Sequence, residues 1–62
     1  MPIIEVTIIE GRPVEKKIKM IRAVTDAVVE TLEAPRESVR IIVHEVPKWH
    51  FAVGGEVKGE PS

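Results

Sequence analysis

One long amphipathic segment lies between two segments rich in β-branched residues, and this order constrains the fold more than any other feature. Apolar residues recur at three- and four-residue spacing from Val14 to Glu33, as on one face of a helix. Pro35 ends this segment, because the residue before a proline disfavours the α conformation. Residues 2–10 and 38–46 predict strands. A helix between two such strands predicts a β-α-β unit with parallel strands and a right-handed crossover.

The C-terminal residues predict a short β-hairpin. Gly54 and Gly55 lie between two short valine-containing segments, and glycine readily adopts the positive φ angles of a tight turn. Residues 58–62 are expected to form a mobile tail. The sequence therefore predicts an α+β fold in which residues 1–62 form one domain with a single β-α-β unit and a C-terminal hairpin.

The size of the chain predicts self-association. A domain of 62 residues buries only about 60% of the surface that its unfolded chain exposes. Disulfides, metals or oligomerisation usually compensate, and the absence of cysteine excludes disulfides and thiolate metal sites. The predicted first strand carries isoleucine on both faces, whereas one helix covers only one of them. We therefore expect a second copy of the chain on the uncovered face.

Composition and motifs limit the classes of function. The net charge of −1 argues against a general nucleic-acid-binding protein. No apolar run approaches the roughly 20 residues of a membrane span, and no signal peptide is apparent, so we expect a cytoplasmic protein. A nucleotide-binding fingerprint, a Ser-His-Asp set and metal-ligand spacing are all missing, and we expect no cofactor or metal. His44 and His50 are interpreted as structural or surface residues.

Pro2 is the first candidate for chemistry. Removal of Met1 would turn its nitrogen into a secondary amine with a lone pair. The pKa of an α-amino group is about 7.7–8.0 in model peptides, and desolvation or nearby positive charge lowers it. Such an amine can act as a general base near neutral pH. Alternatively, Pro2 merely begins an edge strand.

Two arginines and an aromatic residue are further candidates. Arg12 precedes the helix, and Arg40 interrupts an otherwise apolar strand. Their planar guanidinium groups suit bidentate binding of carboxylates. Considered in isolation, Arg12 is interpreted as a solvated loop residue, and Arg40 as an exposed strand residue or part of an interface ion pair. Phe51, beside Trp49, either packs in a core or interface or forms an apolar wall that excludes water from a substrate.

The combined pattern resembles the 4-oxalocrotonate tautomerase family over nearly the whole chain. The resemblance is carried by Pro2, Ile9-Glu10-Gly11-Arg12, Ser38-Val39-Arg40 and His50-Phe51-Ala52-Val53-Gly54-Gly55-Glu56. It implies a β-α-β subunit that assembles as a homohexamer, described as a trimer of dimers.

The resemblance also implies the roles of individual residues. Pro2 would be the base that moves a proton in a dienol or unsaturated 2-oxo acid of the 2-hydroxymuconate type, in aromatic hydrocarbon catabolism. Arg40 and Arg12, supplied by neighbouring subunits, would bind the carboxylate next to the 2-oxo group and the distal carboxylate, respectively. Phe51 and Ile9 would form the apolar wall.

Departures from the family pattern keep other functions open. Trp49 and Ala52 stand where smaller residues such as glycine are expected, and an indole there would narrow the pocket or change its substrate. A dehalogenase or hydratase of the same superfamily would need a carboxylate to activate water, and Glu56 is available only if the hairpin folds back. A non-enzymatic oligomer with a permanently blocked N-terminus is the third possibility.

Overall fold

The computed structural model describes residues 1–59 and consists of one helix packed on a two-stranded parallel sheet. The elements are β1 (Ile3–Ile9), α1 (Val14–Leu32), β2 (Arg40–Val46), β3 (Ala52–Val53) and β4 (Glu56–Val57), with short 3-10 turns at Arg36–Ser38 and Lys48–His50. In the parallel register of β1 and β2, Ile3 lies opposite Arg40 and Ile9 lies opposite Val46. Strands β3 and β4 pair antiparallel. The predicted β-α-β unit with a C-terminal hairpin is therefore confirmed.

The ends of α1 follow from local chain geometry. Pro13 is extended at the N-cap, with ψ of 150°, and the helix begins at the next residue. The helix ends at Leu32 because Glu33 adopts the left-handed conformation, with φ of 54°. The sequence places this boundary within one residue.

The second strand starts later than the sequence predicts. Strand β2 begins at Arg40, two residues after the predicted start at Ser38. The reason is a 3-10 turn after Pro35, in which the backbone N–H of Ser38 donates to the Pro35 carbonyl at 3.0 Å. The Ser38 hydroxyl donates to the same carbonyl at 2.7 Å, so both polar groups of this residue belong to the turn.

The two faces of the parallel sheet differ in exposure. The residues that face α1 are half-buried: Ile4, Val6 and Ile8 of β1, and Ile41 and Val43 of β2. On the opposite face, Ile3 and Ile42 are 60% and 45% exposed. Among residues 1–59, none is fully withdrawn from solvent in the isolated chain. One chain therefore leaves exposed isoleucines on this face, as the strand pattern predicts, although the face also carries Glu5 and His44, which contact each other at 3.2 Å.

The apolar stripe of α1 is only partly covered by the sheet. Val14 and Leu32, at its two ends, are exposed, whereas Val24 and Val28 are half-buried. A helix of 19 residues is about 28 Å long, whereas a strand of seven residues spans about 23 Å. The helix is therefore longer than the strands, which agrees with the exposure of Val14 and Leu32 at its two ends.

The isolated chain is flat. Its Cα atoms extend over 44 × 25 × 13 Å, with a radius of gyration of 14.7 Å. A compact chain of this length has a radius of gyration of about 11 Å. The flat shape leaves a large surface for its apolar content, which agrees with the expectation of self-association. Within residues 1–59, no helix has the length and apolar character required to cross a bilayer.

Candidate active site

The five residues selected from the sequence fall into two groups at opposite ends of the parallel sheet. Pro2 and Arg40 lie together at one end, where the backbone N–H of Arg40 donates to the Pro2 carbonyl at 3.0 Å. Ile9, Arg12 and Phe51 line a groove at the other end. Seven residues of extended strand separate the two ends, a distance of about 23 Å. A single chain therefore does not bring all five residues to one substrate.

The groove lies where β1 and β2 end, and it opens to solvent. Its volume is about 640 Å³. The lining residues are Thr7, Ile8, Ile9, Arg12, Val46, Lys48, Phe51 and Lys58. The lining combines apolar side chains with three residues that carry a positive charge, Arg12, Lys48 and Lys58. This combination suits an anionic ligand with an apolar body.

The turn after β1 directs Arg12 to the groove. The Glu10 backbone N–H donates to the Val46 carbonyl at 2.9 Å, which extends the strand pairing by one step. Gly11 then turns the chain with φ of 123°, a conformation that side chains rarely adopt. Arg12 Nη1 donates to the Ile9 carbonyl at 3.3 Å. The guanidinium therefore stays beside the end of β1, and its other N–H groups can bind a carboxylate.

The position of Phe51 depends on a turn and on the hairpin. Its backbone N–H donates to the Lys48 carbonyl at 3.2 Å, and its carbonyl accepts from the Lys58 N–H at 2.7 Å. These two bonds fix the backbone on both sides of the aromatic residue. The ring is 43% exposed in the isolated chain and forms one wall of the groove.

Trp49 and Ala52 do not line this groove within the described part of the chain. The indole instead lies edge-on to the His50 ring, with ring centroids 6.3 Å apart. The expected narrowing of the pocket by Trp49 is therefore not observed in the single chain. The physical reason is that Trp49 belongs to the 3-10 turn, where neighbouring residues point in different directions.

At the opposite end, Pro2 is half-buried and Met1 is 79% exposed. Arg40 Nη1 donates to the carbonyls of Glu37 and Ser38, each at 3.3 Å. Arg40 is thus anchored by backbone groups, and within residues 1–59 it forms no ion pair.

Sequence reasoning missed Lys48 and Lys58, which line the groove together with Arg12. Lys48 was detectable in principle, because it precedes Phe51 by three residues in a turn-forming segment. Lys58 reaches the groove only through its backbone bond to Phe51 across the hairpin. No carboxylate of residues 1–59 lines the groove, and Glu56 lies outside it. Glu56 therefore supplies no water-activating carboxylate to the groove of a single chain.

Comparisons with known proteins agree with this architecture. The sequence profile of the tautomerase enzyme family matches residues 2–60. The chain is 55% identical over 58 residues to a probable tautomerase of Ralstonia nicotianae, covering 94% of this chain and 83% of the relative. It is 50% identical over 56 residues to the 2-hydroxymuconate tautomerase of Stutzerimonas stutzeri, covering 90% and 89%, respectively.

A solved structure supports the same relationship. The heterohexameric 4-oxalocrotonate tautomerase of Chloroflexus aurantiacus J-10-fl superposes with a TM-score of 0.90 and 36% identity, covering 94% of each chain. The profile match spans residues 2–60, which include Phe51 and the hairpin, and the structural match covers 94% of the chain. The chain therefore belongs to the tautomerase family, whose members are isomerases.

Proposed function

We propose that the protein is a cofactor-independent tautomerase that moves a proton in dienols or unsaturated 2-oxo acids of the 2-hydroxymuconate type. Pro2 is its general base after removal of Met1. The proposal is supported by the family membership and by relatives named 2-hydroxymuconate tautomerases. The proposal includes a role in aromatic hydrocarbon catabolism.

The observation that carries this proposal is the distribution of candidate residues over the two ends of the sheet. Pro2 and Arg40 lie at one end, and the groove with Arg12 and Phe51 lies at the other. Two copies that associate with antiparallel strands bring the Pro2 end of one copy to the groove of the other. The exposed Ile3 and Ile42 on the uncovered sheet face provide further apolar surface for association. The proposed assembly is a homohexamer built as a trimer of dimers.

The mechanism requires only a proton transfer within an oriented substrate. The Pro2 amine accepts the proton from the dienol hydroxyl, so that the O–H bond breaks, and it then delivers the proton to a substrate carbon, where a C–H bond forms. Arg40 binds the carboxylate next to the reacting oxygen and stabilises the negative charge that develops there. Arg12 binds the distal carboxylate through its planar fork. Phe51 and Ile9 exclude water from the apolar part of the substrate.

The test compares a free with a blocked Pro2 nitrogen. Mass spectrometry first establishes that Met1 is absent from the protein, and enol-to-keto conversion is then followed by ultraviolet absorbance. Insertion of an alanine between Met1 and Pro2 converts the nitrogen into an amide, and we expect turnover to fall roughly 100-fold or more. Circular dichroism and oligomer mass should not change. Full turnover of this blocked form would refute the role of Pro2.

A further inference from the structure

We propose that Lys48 and Lys58 are specificity-determining residues, which act beside Arg12 and strengthen the preference of the groove for substrates with a second anionic group remote from the reacting carbons. The inference rests on the proposed function for its reaction, but it concerns recognition and adds two residues to the candidate site. The dicarboxylate class itself belongs to the proposed function, and the addition is that these two lysines bind the second carboxylate more tightly than Arg12 would alone.

The first support is the local charge of the groove. Arg12, Lys48 and Lys58 line it, whereas no Asp or Glu of residues 1–59 does so. The chain as a whole has nine Lys and Arg against ten Asp and Glu. Cations are therefore concentrated at this site in a chain of slightly negative net charge. Although the groove opens to solvent, its apolar walls lower the local dielectric constant beside these cations and so strengthen their attraction for an anion.

The second support is the fixed position of both lysines relative to Phe51. The Lys48 carbonyl accepts the Phe51 N–H, and the Phe51 carbonyl accepts the Lys58 N–H. The Lys48 stem also packs on Gly59, where an added Cβ would lie 2.9 Å from the Lys48 Cβ and 3.0 Å from its Cδ. The backbone thus holds both lysines beside the aromatic wall, and Gly59 leaves room for the Lys48 stem.

The third support is the difference between the two kinds of cation. Arg12 offers a planar fork that binds one carboxylate with defined geometry. Each lysine adds a compact point charge on a flexible stem, which attracts an anionic group without demanding one orientation. A substrate with one carboxylate, held at the reacting end by Arg40 in the proposed mechanism, presents no anion to these lysines. They therefore act on substrates that carry a second anionic group.

The experiment replaces each lysine by an uncharged residue of similar length. Lys48→Gln, Lys58→Gln and the double variant are compared with Lys19→Gln and with Lys19→Gln combined with Arg22→Gln. These control residues are exposed on α1 and outside the groove, and their replacement changes the net charge by the same amount. Steady-state kinetics use a dienol dicarboxylate and a dienol monocarboxylate, and calorimetry compares adipate with hexanoate.

We expect each groove lysine replacement to raise KM for the dicarboxylate and to weaken adipate binding by roughly two- to fivefold, as for partly exposed charge pairs. KM for the monocarboxylate should rise less than KM for the dicarboxylate, because the monocarboxylate presents no second anionic group to the lysines. The preference for the dicarboxylate should also decrease with ionic strength. The control variants should retain the preference of the unmodified protein.

Two results would overturn the inference. One is an unmodified protein that binds adipate no more tightly than hexanoate. The other is a double variant whose preference for adipate is as large as that of the unmodified protein, because Arg12 alone would then account for the preference. A protein that binds adipate selectively through these lysines, yet converts neither dienol, would support the recognition site and refute the proposed function. The binding and turnover measurements therefore separate the two failures.

Discussion

The replacement Ile42→Lys tests whether the uncovered sheet face is buried by other copies of the chain. Ile42 is 45% exposed and lies opposite Glu5 in the parallel register. In the isolated chain, the new lysine would stand beside an acidic partner on an exposed surface. A pair of opposite charges in this arrangement contributes about 0.2–1 kcal/mol. The fold of the single chain should therefore tolerate the change.

The assembled protein should not tolerate it. Full burial of an isoleucine side chain contributes about 1.5–3 kcal/mol, so burial of the exposed 45% of Ile42 contributes about 0.7–1.4 kcal/mol in each copy. The buried lysine adds a desolvation penalty of several kcal/mol. Over the six copies of a hexamer, the lost burial alone amounts to about 4–8 kcal/mol.

Sedimentation velocity across a range of protein concentrations measures the assembly, and circular dichroism measures the fold of each variant. We expect Ile42→Lys to shift the protein to smaller species, with loss of turnover because the proposed site needs two copies. Ile42→Val, the matched control at the same position, should retain both assembly and turnover. An Ile42→Lys variant with the mass and activity of the unmodified protein would show that this face is not an interface.

Three further predictions concern the site and the helix end. Pro2→Ala leaves a primary amine after Met1 removal, so turnover should fall without being abolished. A complete loss of turnover in a correctly assembled variant would contradict the view that a free N-terminal amine is sufficient as the base. Arg12→Ala should raise KM for dicarboxylates more than for monocarboxylates, whereas Arg40→Ala should impair binding and turnover of both. Steady-state kinetics with the two substrate classes test this, and an equal effect of Arg12→Ala on both classes would contradict its assignment to the distal carboxylate. Glu33→Gly should stabilise the protein by about 1 kcal/mol, because glycine adopts the left-handed conformation at the end of α1 without strain. Glu30→Gly, inside the helix, should destabilise it by a similar amount, and thermal unfolding would reveal the opposite signs.

The secondary structure was largely predictable from the sequence because its signals are local. The helical period, Pro35 and the Gly54-Gly55 pair act over a few residues, and they place α1 and the hairpin turn. The start of β2 was misplaced because the Ser38 hydroxyl and N–H both bond to the Pro35 carbonyl, and this turn competes with the strand. Local composition alone does not show whether the turn or the strand is the more stable conformation of Ser38.

By itself, the sequence determined the β-α-β order, the apolar sheet face and the separate candidate residues. The tertiary structure decided which of these residues share a surface. Pro2 and Arg40 meet because β1 and β2 pair in parallel from Ile3 and Arg40 onward, whereas Arg12 lies a full strand length away. Lys58 joins the groove through the hairpin. The physical reason is that strand register and chain reversal bring distant residues together, and no local period encodes them.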